Sequence, residues 1–244
     1  MTPRLEEVWV YLSATPLLGL TLTLLAYHAA FRIYQRAGFH PIANPVLLAV
    51  TMLASVLLLT GTPYQTYFDG AQFVHFLLGP ATVALAIPLY AQWPRLKAMA
   101  APLAIALVAG SLTAALSAWS IGALLGASRE SLMSLAPKSV TTPIAMAVAE
   151  RLGGLPSLTA VLVISTGILG AIGARYLYRW LHISDPAVRG FAIGLASHGI
   201  GTARAFQTGE QAGAFAALAM GLNGLVTALS LPWIMPWVER LLGR

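Results

Sequence analysis

Apolar residues run along this chain in blocks too long for one face of a soluble helix, with continuous stretches at 8–30, 45–60, 98–125, 156–181 and 213–238. A bilayer-crossing helix needs about 20 predominantly apolar residues, so four of these predict full spans and 45–60 a short one. Three other segments, 70–90, 136–154 and 185–206, are apolar but interrupted by Gly, Pro or charge. Irregular backbone at membrane depth survives only where protein buries it or water reaches it, because unpaired amides are costly in hydrocarbon. These three segments therefore predict broken helices beside a substrate path. Trp9, Tyr11, Trp93, Trp180, Trp233 and Trp237 fall near span ends, where amphipathic rings sit at headgroup level.

Composition agrees with that pattern. Of 244 residues 58% are hydrophobic and 9% charged, and the mean hydropathy is +0.77; soluble domains carry roughly 25% charged residues. The net charge of +6 comes with no Lys/Arg cluster or basic helical face, so nucleic acid is not an expected partner. The charges read as topology instead. Arg32 and Arg36, Arg95 and Lys97, and Arg175, Arg179 and Arg189 suit inner loops, leaving Asp69 and the Arg129–Glu130 pair outside. Cysteine is absent, which removes disulfides and thiolate metal sites. Glu6 and Glu7 after Arg4, with no small-residue cleavage site, predict a retained first span and not a cleaved leader. The expected organisation is one membrane domain over residues 1–244, with about 1–65 as a scaffold for a homodimer and 66–244 as a substrate-binding core.

The richest segment is Pro137-Lys138-Ser139-Val140-Thr141-Thr142-Pro143, followed by a helical run to Leu152 and then Gly153-Gly154. Pro143 suits the first helical position and Thr142 the N-cap. The helix N-terminus and the Ser139, Thr141 and Thr142 hydroxyls beside Lys138 would together receive a carboxylate. The blander reading of Lys138 is a loop lysine snorkelling to the interface.

A second segment holds Ser197, His198, Gly199, Gly201, Thr202 and Arg204. Gly199 and Gly201 permit a break, Thr202 caps a new turn, Arg204 engages a carboxylate, and His198 titrates near neutral pH as a coupled proton requires. Alternatively His198 serves neighbouring carbonyls and Arg204 reaches a headgroup phosphate. Gly79, Pro80 and Thr82 repeat this logic as a third helix N-terminus or as a plain proline kink. Asn223, between Gly221 and Gly224, either bonds substrate or joins helices. Pro80 to Ala86 echoes Pro143 to Ala149, the mark of an internal repeat or of chance in an Ala-rich chain.

Enzyme signals are poor. Gly194 to Gly199 is one residue too long for a G-x-S-x-G elbow. Asp69 and Asp185 sit at loop or cap positions, and His28, His40, His75, His182 and His198 lack metal-ligand spacing. No catalysis, cofactor or metal is expected.

Three segments carry a family resemblance: GPATVALAIPLY (79–90), PKSVTTPIAMAVAERLGG (137–154) and SHGIGTARAF (197–206). In this order they strongly resemble the LrgB family, also called CidB/LrgB or YohK-like. The resemblance implies two functions. LrgB-like proteins are described as holin- or antiholin-like regulators of murein hydrolase release, working beside a small LrgA-like membrane partner. The chloroplast relative, a fusion of LrgA-like and LrgB-like parts, is a glycolate/glycerate translocator, and bacterial pairs are connected with pyruvate uptake.

The expectation is thus an all-α, polytopic transmembrane bundle of about eight spanning or half-spanning segments, placed in a bacterial inner membrane. Discontinuous helices, an inverted repeat and crossed half-helices are expected by analogy with sodium/proton antiporter and bile-acid symporter folds. It would carry small organic monocarboxylates, with Lys138 and Arg204 neutralising the anion.

Overall fold

The computed structural model describes residues 16–241; the expected start of the first span, Trp9 and Tyr11 lie outside them. All regular structure among these residues is helical, and five stretches are long and apolar enough to cross a membrane: Leu17–Arg36, Tyr64–Ala91, Ala100–Leu124, Pro156–Trp180 and Glu210–Leu241. The chain is a polytopic helical membrane protein. It forms two compact units that divide between Ala84 and Leu85, beyond the point near residue 65 at which the sequence reading separates scaffold from core.

The first unit contains α1 (Pro16–Arg36), α2 (Pro45–Thr60), α3 (Tyr64–Phe76) and α4 (Leu78–Ala84). Asn44 starts α2 by accepting from the amides of Val46 and Leu47 at 2.9 and 3.2 Å, and Gly61 at φ 63° stops it. At 16 residues α2 is about 24 Å long, the short span expected. Thr23 of α1 meets the Tyr67 hydroxyl of α3 at 2.7 Å. Gly79, Pro80 and Thr82 lie in α4, which restarts at Leu78 after a break at Leu77.

The second unit holds α5 (Ala86–Ala91), α6 (Trp93–Ala98), α7 (Ala100–Leu124), α8 (Arg129–Leu135), α9 (Thr142–Leu152), α10 (Pro156–Trp180), α11 (Pro186–Thr208) and α12 (Glu210–Leu241). With 25, 25 and 32 residues, α7, α10 and α12 reach about 37, 37 and 48 Å, enough to cross the roughly 30 Å hydrocarbon layer. The shorter helices between them do not cross.

Side-chain contacts show where those shorter helices go. Arg129, opening α8, bonds Glu239 near the end of α12 at 2.8 Å and stands beside Gly153, the stop of α9. Ser139, in the stretch joining α8 to α9, instead meets Asn223 at mid-length of α12. The chain therefore enters from the Glu239 end, turns halfway and leaves by the same end.

α11 does the same from the opposite end. Its backbone breaks at Ser197 (φ −127°, ψ 16°) and His198 (φ 42°, ψ −133°). Before the break, Gly190 and Gly194 lie against Ala212 and Ala216 of α12, so that limb runs parallel to α12. After it, Thr202 meets Met220 and Phe206 meets Gly213, so the second limb runs antiparallel and returns to where it began. Gly190 and Gly194 are required by proximity, since a methyl on either would collide with a carbonyl oxygen of α12. Such small-residue seams let helix backbones approach in a membrane, where apolar side chains alone give no preference for protein over lipid.

Hairpin plus span thus occurs twice, as α8–α9–α10 and as α11–α12, with opposite orientation. The two copies match at a constant shift of 56 residues: Ile144 with Ile200, Ala149 with Ala205, and the stopping glycines Gly153 with Gly209. The Pro80 to Ala86 echo lies in a different part of the chain.

The topology predicts that Arg151→Cys and Glu210→Cys, both exposed positions in a chain lacking native cysteine, react with a membrane-impermeant maleimide from opposite sides. Labelling of both from one side would rule out the opposed hairpins.

Candidate functional site

The two hairpin tips meet in the middle of the second unit. α7 and α12 form the walls, each through a ridge of residues four apart. On α7 the ridge is Leu103, Leu107, Ser111, Ala115 and Trp119; on α12 it is Phe215, Ala219, Asn223, Thr227, Leu231 and Met235. The lower halves pack against the first limb of α11 through Ala187, Phe191 and Leu195. The upper halves pack against α8 and α9 through Leu132, Met133, Val148 and Leu152. Between the two apolar clusters each ridge carries polar residues, and there the tips sit.

Asn223 is 1% exposed and ties the arrangement together. Its amide donates to the carbonyl of Leu195 at 2.9 Å and to that of Ser139 at 3.3 Å. Its oxygen accepts from Ser111 at 2.6 Å and Thr227 at 3.3 Å. Ser139 and Leu195 are equivalent residues of the two copies, related by the same 56-residue shift. One side chain therefore holds both halves of the repeat near their axis.

Local sequence explains why these carbonyls need it. The residue four beyond Ser139 is Pro143, which has no N–H to donate. Leu195 lies in the last turn before the break, which removes the regular turn that would follow.

Lys138 is half-buried at the first tip, and its ammonium donates to the Ser139 hydroxyl at 3.4 Å; among the described residues it has no carboxylate partner. Helix α9 begins at Thr142, so Thr141 and not Thr142 stands at the cap, and its hydroxyl makes no capping bond. Proline at the second helical position and the extended backbone before it shift the boundary by one residue. Thr141 and Thr142 are partly exposed and Pro143 is exposed, so the start of α9 is open to a ligand where Ser139 and Val140 are sealed.

At the second tip the break falls on Ser197 and His198, not on Gly199 and Gly201. Gly201 answers a different need: a Cβ there would lie 2.6 Å from the Ile193 carbonyl across the hairpin. His198 accepts the positive φ, which a residue with a side chain adopts only under constraint from its surroundings. That constraint is a hydrogen bond of 2.9 Å between Nε2 and the Val163 carbonyl of α10; the carbonyl only accepts, so Nε2 carries the proton. Gly167 and Gly170 make room for the His198 ring and the Ser197 hydroxyl. Thr202 donates to the His198 carbonyl at 2.8 Å.

Arg204 is not at this meeting point. It lies six residues beyond His198 in a helical limb, about 9 Å further along, where it donates to Gln207 at 3.0 Å and lines a separate cavity. Gly79, Pro80 and Thr82 belong to the first unit. Sequence reasoning missed Ser111, Thr227 and Val163. The available signal for the first two was a lone hydroxyl on an otherwise apolar four-residue ridge.

A polytopic helical bundle whose centre is built from two oppositely directed re-entrant hairpins belongs to the class of integral membrane proteins with discontinuous helices. The particular family follows from sequence: the profile of the LrgB-like family matches residues 23–237, and the chain belongs to that family. It is 36% identical to the uncharacterized protein YwbG of Bacillus subtilis (strain 168), over 91% of this chain and 98% of that protein. It is 34% identical to YxaC of the same organism, over 88% and 93%. The antiholin-like protein LrgB of Bacillus mycoides (strain KBAB4) is 29% identical over 92% and 97%. No solved structure matches the chain.

Proposed function

We propose that this LrgB-family protein is a secondary transporter of small organic monocarboxylates, such as glycolate, glycerate, pyruvate or lactate-like 2-hydroxy and 2-oxo acids, working by alternating access with a coupled proton. The observation that carries the reading is the meeting of two opposed hairpin tips around Asn223, with one carboxylate-free ammonium, Lys138, beside an open helix N-terminus. Inverted repeats with discontinuous helices at the midplane are the recurrent architecture of secondary transporters, and half-helix N-termini in them receive anionic groups. On this reading Lys138 neutralises the carboxylate, Thr141 and Thr142 orient it or its 2-hydroxyl, and His198 carries the proton.

The arginine-rich end, with Arg95, Lys97, Arg175, Arg179, Arg189 and Arg204, faces the cytoplasm of a bacterial inner membrane by the positive-inside tendency. A homodimer and an LrgA-like partner belong to the same proposal, and no catalytic step is part of it.

A second reading, favoured by the name of the antiholin-like Bacillus mycoides relative, is that this chain is a holin/antiholin-like membrane protein that modulates murein hydrolase export and cell lysis. Liposomes holding the purified protein separate the two. Saturable uptake of labelled glycolate, pyruvate or lactate under an inward proton gradient, with an encapsulated dye retained, is the expected result. Dye leakage without saturable uptake would sink the transport reading in favour of the holin-like side of the second one.

A further inference from the structure

A cavity of about 400 Å³ opens at the Asp185 end, between the last turns of α10 and the two limbs of α11. Arg175 and Arg179 reach it from α10, Arg189 from the first limb and Arg204 from the second, and no Asp or Glu is among the described residues that line it. The guanidinium groups of Arg175, Arg179 and Arg189 around one space repel one another unless an anion joins them.

Among the described residues no carboxylate pairs with Arg175, Arg179 or Arg189. Asp185 is engaged by Arg95, and it also caps α11 by accepting from the amides of Ala187 and Val188 at 2.8 and 3.2 Å. Arg189 lies at the fourth residue of α11, close to a helix N-terminus where the backbone already presents positive charge. It is nevertheless held in place, by a 2.7 Å bond to the Ile183 carbonyl and by stacking on the Tyr178 ring 5.8 Å away. Arg175 and Arg179, one turn apart on an exposed edge, complete the ring.

We propose that this cavity binds a phosphate-bearing anion, at a place distinct from the hairpin tips and independently of whether the chain transports acids. A monocarboxylate would leave most of the cavity's charge uncompensated, whereas a phosphate offers several oxygens that planar guanidinium groups engage in pairs. The volume suits a headgroup or a small phosphorylated molecule. Trp180 and Tyr176, 75% and 48% exposed on the same turns of α10, put the opening at the height where aromatic rings meet headgroups. Phospholipid headgroup and soluble phosphate share this chemistry.

Melting temperatures of the full chain in detergent test the proposal, with inorganic pyrophosphate in one arm and cardiolipin in the other, each at matched ionic strength and against phosphatidylcholine. Either probe is expected to raise the melting temperature by at least about 3 °C at saturation. A response to cardiolipin alone assigns the site to lipid, and a response to pyrophosphate as well assigns it to soluble phosphates. The double variant Arg175→Gln/Arg179→Gln, changed only at exposed positions, should lose the response. Arg151→Gln/Arg240→Gln, which removes the same charge at the other end, should keep it. No response to either probe, a full response in the first variant, or equal loss in both variants would overturn the proposal.

Discussion

Asn223→Leu is expected to lower the melting temperature of the purified protein by about 10 °C, more than any single change among the surrounding hydroxyls. The substitution keeps the branching at Cγ, adds some bulk, and removes four hydrogen bonds at once. The Ser111 and Thr227 hydroxyls can turn to carbonyls of their own helices, so their loss is small. The Ser139 and Leu195 carbonyls cannot move, being backbone in residues only 6% and 7% exposed. A buried acceptor left unsatisfied costs about 1–3 kcal/mol, and each kcal/mol is worth roughly 2–4 °C in a chain of this size.

Hydrogen bonds between membrane helices average only about 0.6 kcal/mol when alternatives exist. The larger figure applies here because Pro143 and the break at His198 remove the local alternatives. Ser111→Ala should cost a few degrees at most. Asn223→Asp should fall between, since a carboxyl of the same size donates at most one hydrogen bond and only when protonated. A leucine variant melting within about 2 °C of wild type would show that Asn223 fills space and nothing more.

Much of this architecture was legible in the sequence because the bilayer leaves few options. The runs at 98–125, 156–181 and 213–238 became α7, α10 and α12 with ends moved by a few residues. The interrupted runs at 136–154 and 185–206 became the broken helices, since Pro137, Pro143 and the small residues about His198 disfavour one continuous span. Their folding back into opposed hairpins was not legible. It depends on which helix Gly190, Gly194 and Gly201 touch, and a glycine required by contact looks in sequence like one required by a turn. The break was accordingly assigned to Gly199 and Gly201 when His198 makes it. Arg204 was grouped with His198 because they are neighbours in sequence, yet a helical limb places six residues about 9 Å apart. The repeat was hidden because its copies share mainly alanine and glycine, and it emerges once Ser139 and Leu195 are seen to occupy equivalent places on Asn223.

Lys138→Gln is expected to abolish uptake in liposomes while leaving the melting temperature unchanged or raised. The opposite signs follow from one fact: the ammonium is half-buried with a single long bond to Ser139 and, among the described residues, no carboxylate partner. Burying a charge without a partner costs stability, so neutralising it relieves the fold. A bound carboxylate about 4 Å away would recover roughly 4 kcal/mol from that charge at an effective dielectric constant near 20. Losing it should reduce uptake by about a thousand-fold. Lys138→Arg keeps the charge on a longer, planar head and should retain a measurable part.

His198→Gln belongs in the same experiment. Its amide can still donate to the Val163 carbonyl, so the tip is kept while the titrating group is lost. Uptake by this variant should no longer vary with the imposed proton gradient. An unchanged proton dependence would remove His198 from the coupling step without touching the role of Lys138. Full uptake in Lys138→Gln would instead sink the tip as the substrate site, because among the described residues no other Lys or Arg stands at the two hairpin tips.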